Sequence, residues 1–130
     1  MLTENNGISH VASNRSVNDV LAQLLTLLQT KDITVFAVVD HSGEAAKVGL
    51  EMHDTKLVIF GNPRVGTPVM LAVPESALEL PLKILIAEVA DGSTRISYNS
   101  PIYLQNRFRL DPDIAKTLAG IEQIAAAIAS

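Results

Sequence analysis

The fold is decided by the stretch Leu57-Val58-Ile59-Phe60-Gly61-Asn62-Pro63-Arg64-Val65-Gly66-Thr67-Pro68-Val69-Met70. Its apolar start predicts a buried strand, and the Gly-Asn-Pro sequence that follows predicts a tight turn, since turns prefer these three residues. Thr67 can then cap a helix, and Pro68 suits the first helical position. The stretch therefore predicts a strand, a turn and the start of a short helix, which Pro74 interrupts.

Hydrophobic spacing on either side of this stretch predicts the other helices and strands. Ser16 can cap an amphipathic helix from Val17 to Gln29, because valines and leucines recur there at intervals of three and four residues. Asp40 to Glu44 turns the chain into a short helix that Gly49 ends. The other predicted strands are Ile8–Ser13, Thr34–Val39, Leu82–Ala90 and Thr94–Tyr98.

The composition of these strands indicates how the sheet is arranged. Leu82–Ala90 is apolar on both faces and is expected to be central, and the Asp91-Gly92 turn returns the chain antiparallel. Thr34–Val39 is rich in β-branched residues and is expected to be buried, whereas Ile8–Ser13 is expected at an edge. The pattern predicts an α+β fold: a single antiparallel-rich sheet of four or five strands with helices packed on one face.

The 130 residues are expected to form one domain. Residues 1–7 are expected to be flexible, and residues 111–129 to form one C-terminal helix. Asp111 and Pro112 suit the cap and first position of that helix. Its apolar face is formed by Ile114, Leu118, Ile121, Ala125 and Ile128.

Composition excludes several classes of function. The net charge of −4 and the scattered basic residues argue against nucleic acid as a partner. The chain has no cysteine, which excludes disulfides and thiolate chemistry and fits a reducing compartment. No apolar run approaches the roughly 18 residues of a membrane span, and the first residues lack a signal-peptide pattern. We therefore expect a cytoplasmic protein that binds neither nucleic acid nor a membrane.

Several short motifs occur in a fixed order along the chain. They are Phe60-Gly61-Asn62-Pro63, Gly66-Thr67-Pro68, Met70, Leu80-Pro81-Leu82 and Ser97-Tyr98-Asn99-Ser100-Pro101. In this order the chain resembles the domain-of-unknown-function family 302. The resemblance implies an α/β fold similar to half of the TATA-binding protein, implies homodimers, and implies no settled activity. Members of that family often carry a carboxylate at the position of Glu88, without an assigned role.

The first candidate site is Asp40-His41, which follows a predicted strand. Ligand-binding groups often cluster at the carboxyl ends of strands in α/β folds. His41 could act as a general acid or base near neutral pH, and Asp40 could fix its tautomer or bind a metal. In the structural alternative, Asp40 caps the following helix and His41 lies in its first turn.

The second candidate is the loop from Gly61 to Thr67. Free backbone N–H groups at a helix N-terminus, together with Arg64, could bind an anion such as a carboxylate or phosphate. Gly61, Asn62 and Thr67 would then contribute to the site. In the structural alternative, the glycines serve only to let the chain turn.

The third candidate is Tyr98-Asn99. Tyr98 could place its hydroxyl in a cleft beside the Asn62 loop if the two strands are neighbours. A tyrosine at a strand end more often packs its ring and keeps its hydroxyl wet.

Metal binding is not indicated, because His10, His41 and His53 lie in different segments without helical spacing. A site assembled from Asp40, His41 and Asp54 is the alternative left open. The sequence defines no cofactor.

Three functions follow as hypotheses. The leading one is that Asp40-His41, the Asn62–Thr67 loop and Tyr98 line one polar cleft that binds a small anionic ligand. The second is an enzyme that uses His41 as a general acid or base. The third is a structural or protein-interaction module in which the motifs form turns and dimer contacts.

Overall fold

Residues 6–130 are described by a computed structural model, and within them five antiparallel strands form one sheet. The strands are β1 (Ile8–Ser13), β2 (Thr34–Asp40), β3 (Thr55–Gly61), β4 (Leu82–Glu88) and β5 (Thr94–Asn99). Their order across the sheet is β1-β5-β4-β3-β2. The predicted α+β class is confirmed, and β4 is the central strand as its two apolar faces predict.

Helices connect these strands and cover one side of the sheet. They are α1 (Val17–Thr30), α2 (His41–Lys47), α3 (Pro63–Ala72), α4 (Pro101–Phe108), α5 (Pro112–Ala115) and α6 (Gly120–Ala129). Short 3₁₀ turns occur at Pro74–Leu78 and Lys116–Leu118.

The main core lies between the sheet and helices α1 and α6. Leu24 and Leu28 of α1 and Ile128 of α6 are fully buried against Ile84 and Ile86 of β4. Ile84 and Ile86 share a face because side chains on a strand alternate, so the intervening Leu85 points to the opposite side of the sheet. Complete burial of each such aliphatic side chain contributes roughly 1.5–3 kcal/mol.

Strand β2 was predicted to be buried, and this is wrong. It lies at the edge of the sheet, where the side chains of Val35, Phe36 and Val38 are 37%, 52% and 41% exposed. A bulge between Val35 and Ala37 also breaks the regular pairing with β3. β-Branched composition indicates a strand but does not determine its place in the sheet.

Helix α3 begins five residues earlier than the sequence predicted. Asn62 is its cap, because its Oδ1 accepts a hydrogen bond from the Arg64 N–H at 2.9 Å, and Pro63 takes the first helical position. The predicted start at Thr67-Pro68 is wrong. Asparagine is a stronger cap than threonine, so Pro68 lies inside the helix, where it cannot donate a backbone hydrogen bond.

The predicted C-terminal helix is divided into α5 and α6, with a 3₁₀ turn between them. Asp111 caps α5 as predicted, with its Oδ1 accepting from the Asp113 N–H at 2.9 Å. At the other terminus, residues 1–5 of the predicted flexible segment lie outside the described residues. Gly7 is buried, and its carbonyl accepts from the Ser100 N–H at 2.7 Å.

Candidate functional site

Two cavities lie at opposite ends of the β2–β3 strand pair. Asp40 is paired with Lys56 at one end, and Thr34 is paired with Gly61 at the other. Six residues of extended strand separate the two ends by about 20 Å. The predicted common cleft for Asp40-His41 and the Asn62–Thr67 loop is therefore wrong. Each segment follows the carboxyl end of its strand. Because β2 and β3 are antiparallel, their carboxyl ends lie at opposite ends of the strand pair.

The first cavity, which we call the Asp40 cleft, is a wide depression of about 760 Å³. Asp40 is the cap of α2, and its Oδ1 accepts from the Gly43 N–H and the Ser42 hydroxyl, both at 2.9 Å. The Lys56 ammonium lies 2.8 Å from the same oxygen. The hydrogen bond from Lys56, supported by those from Gly43 and Ser42, lowers the pKa of Asp40 from 3.8 to about 2. Asp40 thus has the structural role considered as the alternative.

The charge of the Asp40 cleft is negative. Four carboxylates face the single lysine, which leaves a net charge of −3 with His53 neutral; they belong to Asp40, Glu51, Asp54 and Glu88. The Glu88 carboxylate lies 3.1 Å from His53 Nδ1, so Glu88 has a partner within the chain. A cleft with this charge repels anionic ligands.

His41 is in the first turn of α2 and is exposed to solvent. It lies outside the lining of the Asp40 cleft, and within residues 6–130 its ring forms no hydrogen bond to another side chain. The enclosed, hydrogen-bonded environment expected for an acid–base histidine is not found. Nowhere in this range do three His, Asp or Glu side chains come together in a way that could hold a metal ion.

The second cavity, which we call the Gly61 pocket, is a smaller space of about 140 Å³. One wall is the loop and first turns of α3, formed by Gly61, Asn62, Pro63, Val65, Gly66 and Thr67. The facing wall is apolar and consists of Phe36, Met70, Leu80, Pro81, Leu82 and Leu118. Motifs that are separate in the sequence therefore meet around one pocket.

The two glycines of this pocket are not required by backbone conformation. In the described chain the glycines with positive φ are Gly7, Gly49 and Gly92, whereas Gly61 ends β3 and Gly66 lies inside α3. The structural alternative, that these glycines let the chain turn, thus has no support from a positive φ at either position. A glycine inside a helix costs about 1 kcal/mol relative to alanine.

The two glycines differ in what lies beside them. A Cβ atom added at Gly66 would meet only the methyl of Met70, at 3.9 Å. A Cβ at Gly61 would lie 3.3 Å from Pro81 Cβ and 3.6 Å from Phe36 Cε2. Gly66 therefore leaves open space at the pocket, whereas Gly61 lets Pro81 lie closer than a larger residue would allow.

The backbone donors that were expected to bind an anion are already occupied. The Arg64 N–H is bonded to Asn62 Oδ1, and the Val65 and Gly66 N–H groups donate to the Asn62 carbonyl at 2.8 and 2.9 Å. Pro63 has no N–H. The prediction of free backbone N–H groups at this helix end is therefore wrong, because the Asn62 cap satisfies them.

Three side-chain donors remain uncommitted beside the pocket. Across the described part of the chain, the Asn62 amide nitrogen and the Thr67 hydroxyl have no hydrogen-bond partner, and Arg64 has no carboxylate partner. Asn62 and Thr67 line the pocket, and Arg64 lies on the exposed side of the same turn.

Tyr98 and Asn99 do not contribute to either cavity. Tyr98 packs in the main core with 9% of its surface exposed, and burial raises the pKa of its hydroxyl. The Asn99 amide donates to Glu79 Oε1 at 3.0 Å, and Arg107 holds the other oxygen of Glu79 at 2.9 Å. The prediction that Tyr98 shares a cleft with the Asn62 loop is wrong, since its side chain faces the helices.

Sequence reasoning missed the apolar wall of the Gly61 pocket. Leu80, Pro81 and Leu82 formed one of the ordered motifs, but Leu82 was otherwise interpreted only as the start of a strand. Phe36 and Leu118 lie far away in the sequence and have no chemically distinctive side chain. Only their positions in space assign them to the pocket.

One antiparallel sheet, helices on one face and a pocket at one end of the sheet define a small α+β domain with a candidate binding site. The sequence model described as "Domain of unknown function DUF302" matches residues 9–129, and the chain belongs to this family. A solved structure, an uncharacterized conserved DUF302 protein from Bacillus stearothermophilus, superposes with a TM-score of 0.78. The match covers 95% of each chain at 20% identity, which supports the fold alone.

Curated relatives are longer proteins. The fluoride-specific ion channels FluC 1 of Brucella suis and of Brucella abortus are each 33% identical to this chain over 104 residues, or 80% of it. These residues make up 41% and 38% of the two channels, so the chain spans about two-fifths of their length. Among the described residues, no helix has the length and apolar character needed to cross a bilayer.

Proposed function

We propose that the chain binds a small ligand in the Gly61 pocket, with an apolar body inside the pocket and an anionic head, such as a carboxylate, at its mouth. The observation that supports this best is Gly66. It lies in a helix, where alanine is more stable, without a backbone conformation that demands glycine. The missing side chain is explained by the space that it leaves for a ligand.

The size of the pocket limits the ligand. A cavity of 150 Å³ in another protein binds benzene, so the 140 Å³ here fits a body of about six carbon atoms. Burying six such carbons contributes about 5 kcal/mol before the costs of association. The expected dissociation constant is therefore in the high micromolar to millimolar range.

The charges of the two cavities favour this end of the sheet for an anion. No residue that lines the Gly61 pocket is acidic, and Arg64 lies on its loop. The Asn62 amide and the Thr67 hydroxyl can donate to a carboxylate. The Asp40 cleft, with its net charge of −3, disfavours the same group.

The proposal is tested by titrating the ¹⁵N-labelled protein with hexanoate and benzoate, and with the neutral analogues hexanol and benzyl alcohol. We expect the amide signals of Gly61 and Gly66 to shift with the acids more strongly than with the alcohols. The amides of Gly43 and Asp54 in the Asp40 cleft serve as the internal control and should stay in place. Absence of shifts at 10 mM ligand, or shifts confined to the Asp40 cleft, would contradict the proposal.

Fluoride is a second candidate ligand, and only the curated relatives favour it. A domain of this family occupying part of a fluoride-specific channel would place fluoride near the site. The lining of the Gly61 pocket is mostly apolar, which suits a desolvated fluoride ion poorly. A ¹⁹F titration with sodium fluoride, with chloride as the control, distinguishes it from the carboxylate ligands.

Self-association remains a prediction, and the β2 edge supports it. Val35, Phe36 and Val38 are exposed on a seven-residue edge strand without a charged side chain between them. Such an edge is prone to pair with another chain. Sedimentation equilibrium of the protein and of Phe36→Lys tests this, with a monomeric wild type as the contradicting result. The cytoplasmic location also remains a prediction.

A further inference from the structure

One buried hydroxyl beside the Gly61 pocket has no partner. Ser76, in the 3₁₀ turn before β4, is 1% exposed, and within residues 6–130 its Oγ forms no hydrogen bond. Its backbone is fully used, since its N–H donates to Val73 and its carbonyl accepts from Glu79 and Leu80. A buried, unpaired hydroxyl is unfavourable and rare in folded proteins. The group therefore calls for an explanation outside the chain itself.

Ser76 lines a narrow apolar space directly behind the Gly61 pocket. Its walls include Val69, Ser76, Leu80, Leu104, Phe108 and Leu118. Leu80 and Leu118 line both this space and the pocket, so the two spaces adjoin at these side chains. The space accommodates no water as it stands, with a volume of about 0 Å³. Water therefore does not satisfy the Ser76 hydroxyl there.

We propose that the Gly61 pocket extends past Leu80 and Leu118 to Ser76, and that the ligand carries a hydroxyl or carbonyl group at the end of its apolar body remote from the anionic head. This extension rests on the proposed function. Movement of the half-buried Leu80 side chain opens the passage, and the polar end of the ligand then bonds to Ser76 Oγ. The bound ligand makes this open arrangement the dominant one.

The residues around Ser76 indicate the chemical class of the ligand group that bonds to its Oγ. The charged residue that borders the narrow space is Glu79, and its two carboxylate oxygens are held by Asn99 and Arg107. Glu79 therefore leaves no unpaired negative charge for an amine, and no basic side chain of the described residues lines the space to pair with a second carboxylate. A serine hydroxyl both donates and accepts, so a neutral hydroxyl or carbonyl is its complement.

The test compares straight-chain carboxylic acids of four to ten carbons with the same acids bearing a terminal hydroxyl. Affinity is measured by calorimetry for the wild type, Ser76→Ala and the exposed control Ser130→Ala. At one chain length we expect the hydroxyl to strengthen binding to the wild type about three- to tenfold, as one hydrogen bond provides. Ser76→Ala should lose this gain and bind the plain acids within about twofold of the wild type.

A second variant tests the passage. Leu80→Ala removes part of the barrier, and we expect it to strengthen binding of the longer hydroxy acids relative to the plain acids. The extension is overturned if plain acids bind but the terminal hydroxyl does not strengthen binding to the wild type at any chain length. It is also overturned if Ser76→Ala keeps the stronger binding of the hydroxy acids. If neither series binds, the proposed function and its extension both fail.

Discussion

The Asp40 cleft and the Gly61 pocket lie at opposite ends of the same two strands, and they differ in size, in charge and in how their polar groups are paired. The cleft is about five times larger, and two of its four carboxylates are paired, that of Asp40 with Lys56 and that of Glu88 with His53. The pocket is small and apolar, and the donors at its mouth have no partner in the described chain. Two of its wall residues are glycines in regular secondary structure.

This difference shows which features of a cavity indicate a ligand. Asp40, Lys56 and Ser42 complete each other's hydrogen bonds, so the cleft is explained by the folding of α2 onto β3. At the Gly61 pocket, the absent side chain of Gly66 costs stability without a gain inside the chain. The candidate site is distinguished by a cost in stability that no contact within the chain offsets, rather than by its volume or its charge.

The largest expected effect comes from filling the pocket. Gly66→Leu places a good helix former into the open space beside Met70. We expect binding of hexanoate to weaken at least about tenfold, to below detection, because the leucine occupies the volume of the ligand. Gly120→Leu is the control, since a Cβ there meets open space. Calorimetry measures both, and equal affinities for the two variants would contradict the site.

Removing the charge at the mouth should have a smaller effect. Arg64→Met should weaken hexanoate about three- to tenfold, the range of a charge-assisted hydrogen bond near solvent, and should leave hexanol unchanged. Arg95→Met, on another exposed arginine, should change neither. If Arg64→Met affects acid and alcohol equally, the anionic head does not bind there.

Glycine replacements should show whether a glycine is needed for the space beside it or for its backbone conformation. Gly66→Ala should stabilise the protein by up to about 1 kcal/mol, or a few degrees in Tm, while it narrows the pocket. Gly49→Ala, at φ 78°, should destabilise it by about 1 kcal/mol because L-residues disfavour that conformation. Thermal and urea unfolding measure both variants. Destabilisation by Gly66→Ala would mean that the fold itself needs this glycine.

The Asp40 cleft should respond to pH through stability rather than binding. The pKa of Asp40 is lowered from 3.8 to about 2 in the folded protein. Its carboxylate therefore stabilises the fold fully above about pH 5, and this contribution is lost as the pH falls towards 2. Asp40→Asn keeps a capping side chain but loses the charge, so it should be less stable at pH 7 and nearly equal to the wild type at pH 2. A difference that does not vary with pH would contradict this assignment.

The smallest expected effect is at Glu88. Its pair with His53 is exposed, with 63% of the histidine and 40% of the glutamate side chain accessible to solvent. Exposed pairs contribute about 0.2–1 kcal/mol, so Glu88→Gln should lower the free energy of unfolding by less than 1 kcal/mol. Ligand binding in the Gly61 pocket should be unchanged. A large loss of ligand binding in Glu88→Gln would instead indicate that the Asp40 cleft takes part in binding.

Much of the local structure could be predicted because local chemistry determines it. The spacing of Val20, Leu24 and Leu28 determines the buried face of α1, and the Asp91-Gly92 turn determines the β4–β5 hairpin. The start of α3 was predicted five residues late because Asn62 and Thr67 are both capping residues followed by proline. The choice between them depends on how strand β3 ends, which the pattern leaves open.

The sequence alone determined the class of the fold, the family, the central strand and the loop that lines the pocket, since periodicity, capping and turn preferences act between near neighbours. The tertiary structure alone decided that β2 is an edge and that Asp40 and Gly61 are far apart. It also brought Phe36, Pro81 and Leu118 to the same pocket as Gly66. These facts depend on strand order and antiparallel pairing, which join residues distant along the chain and leave no local pattern.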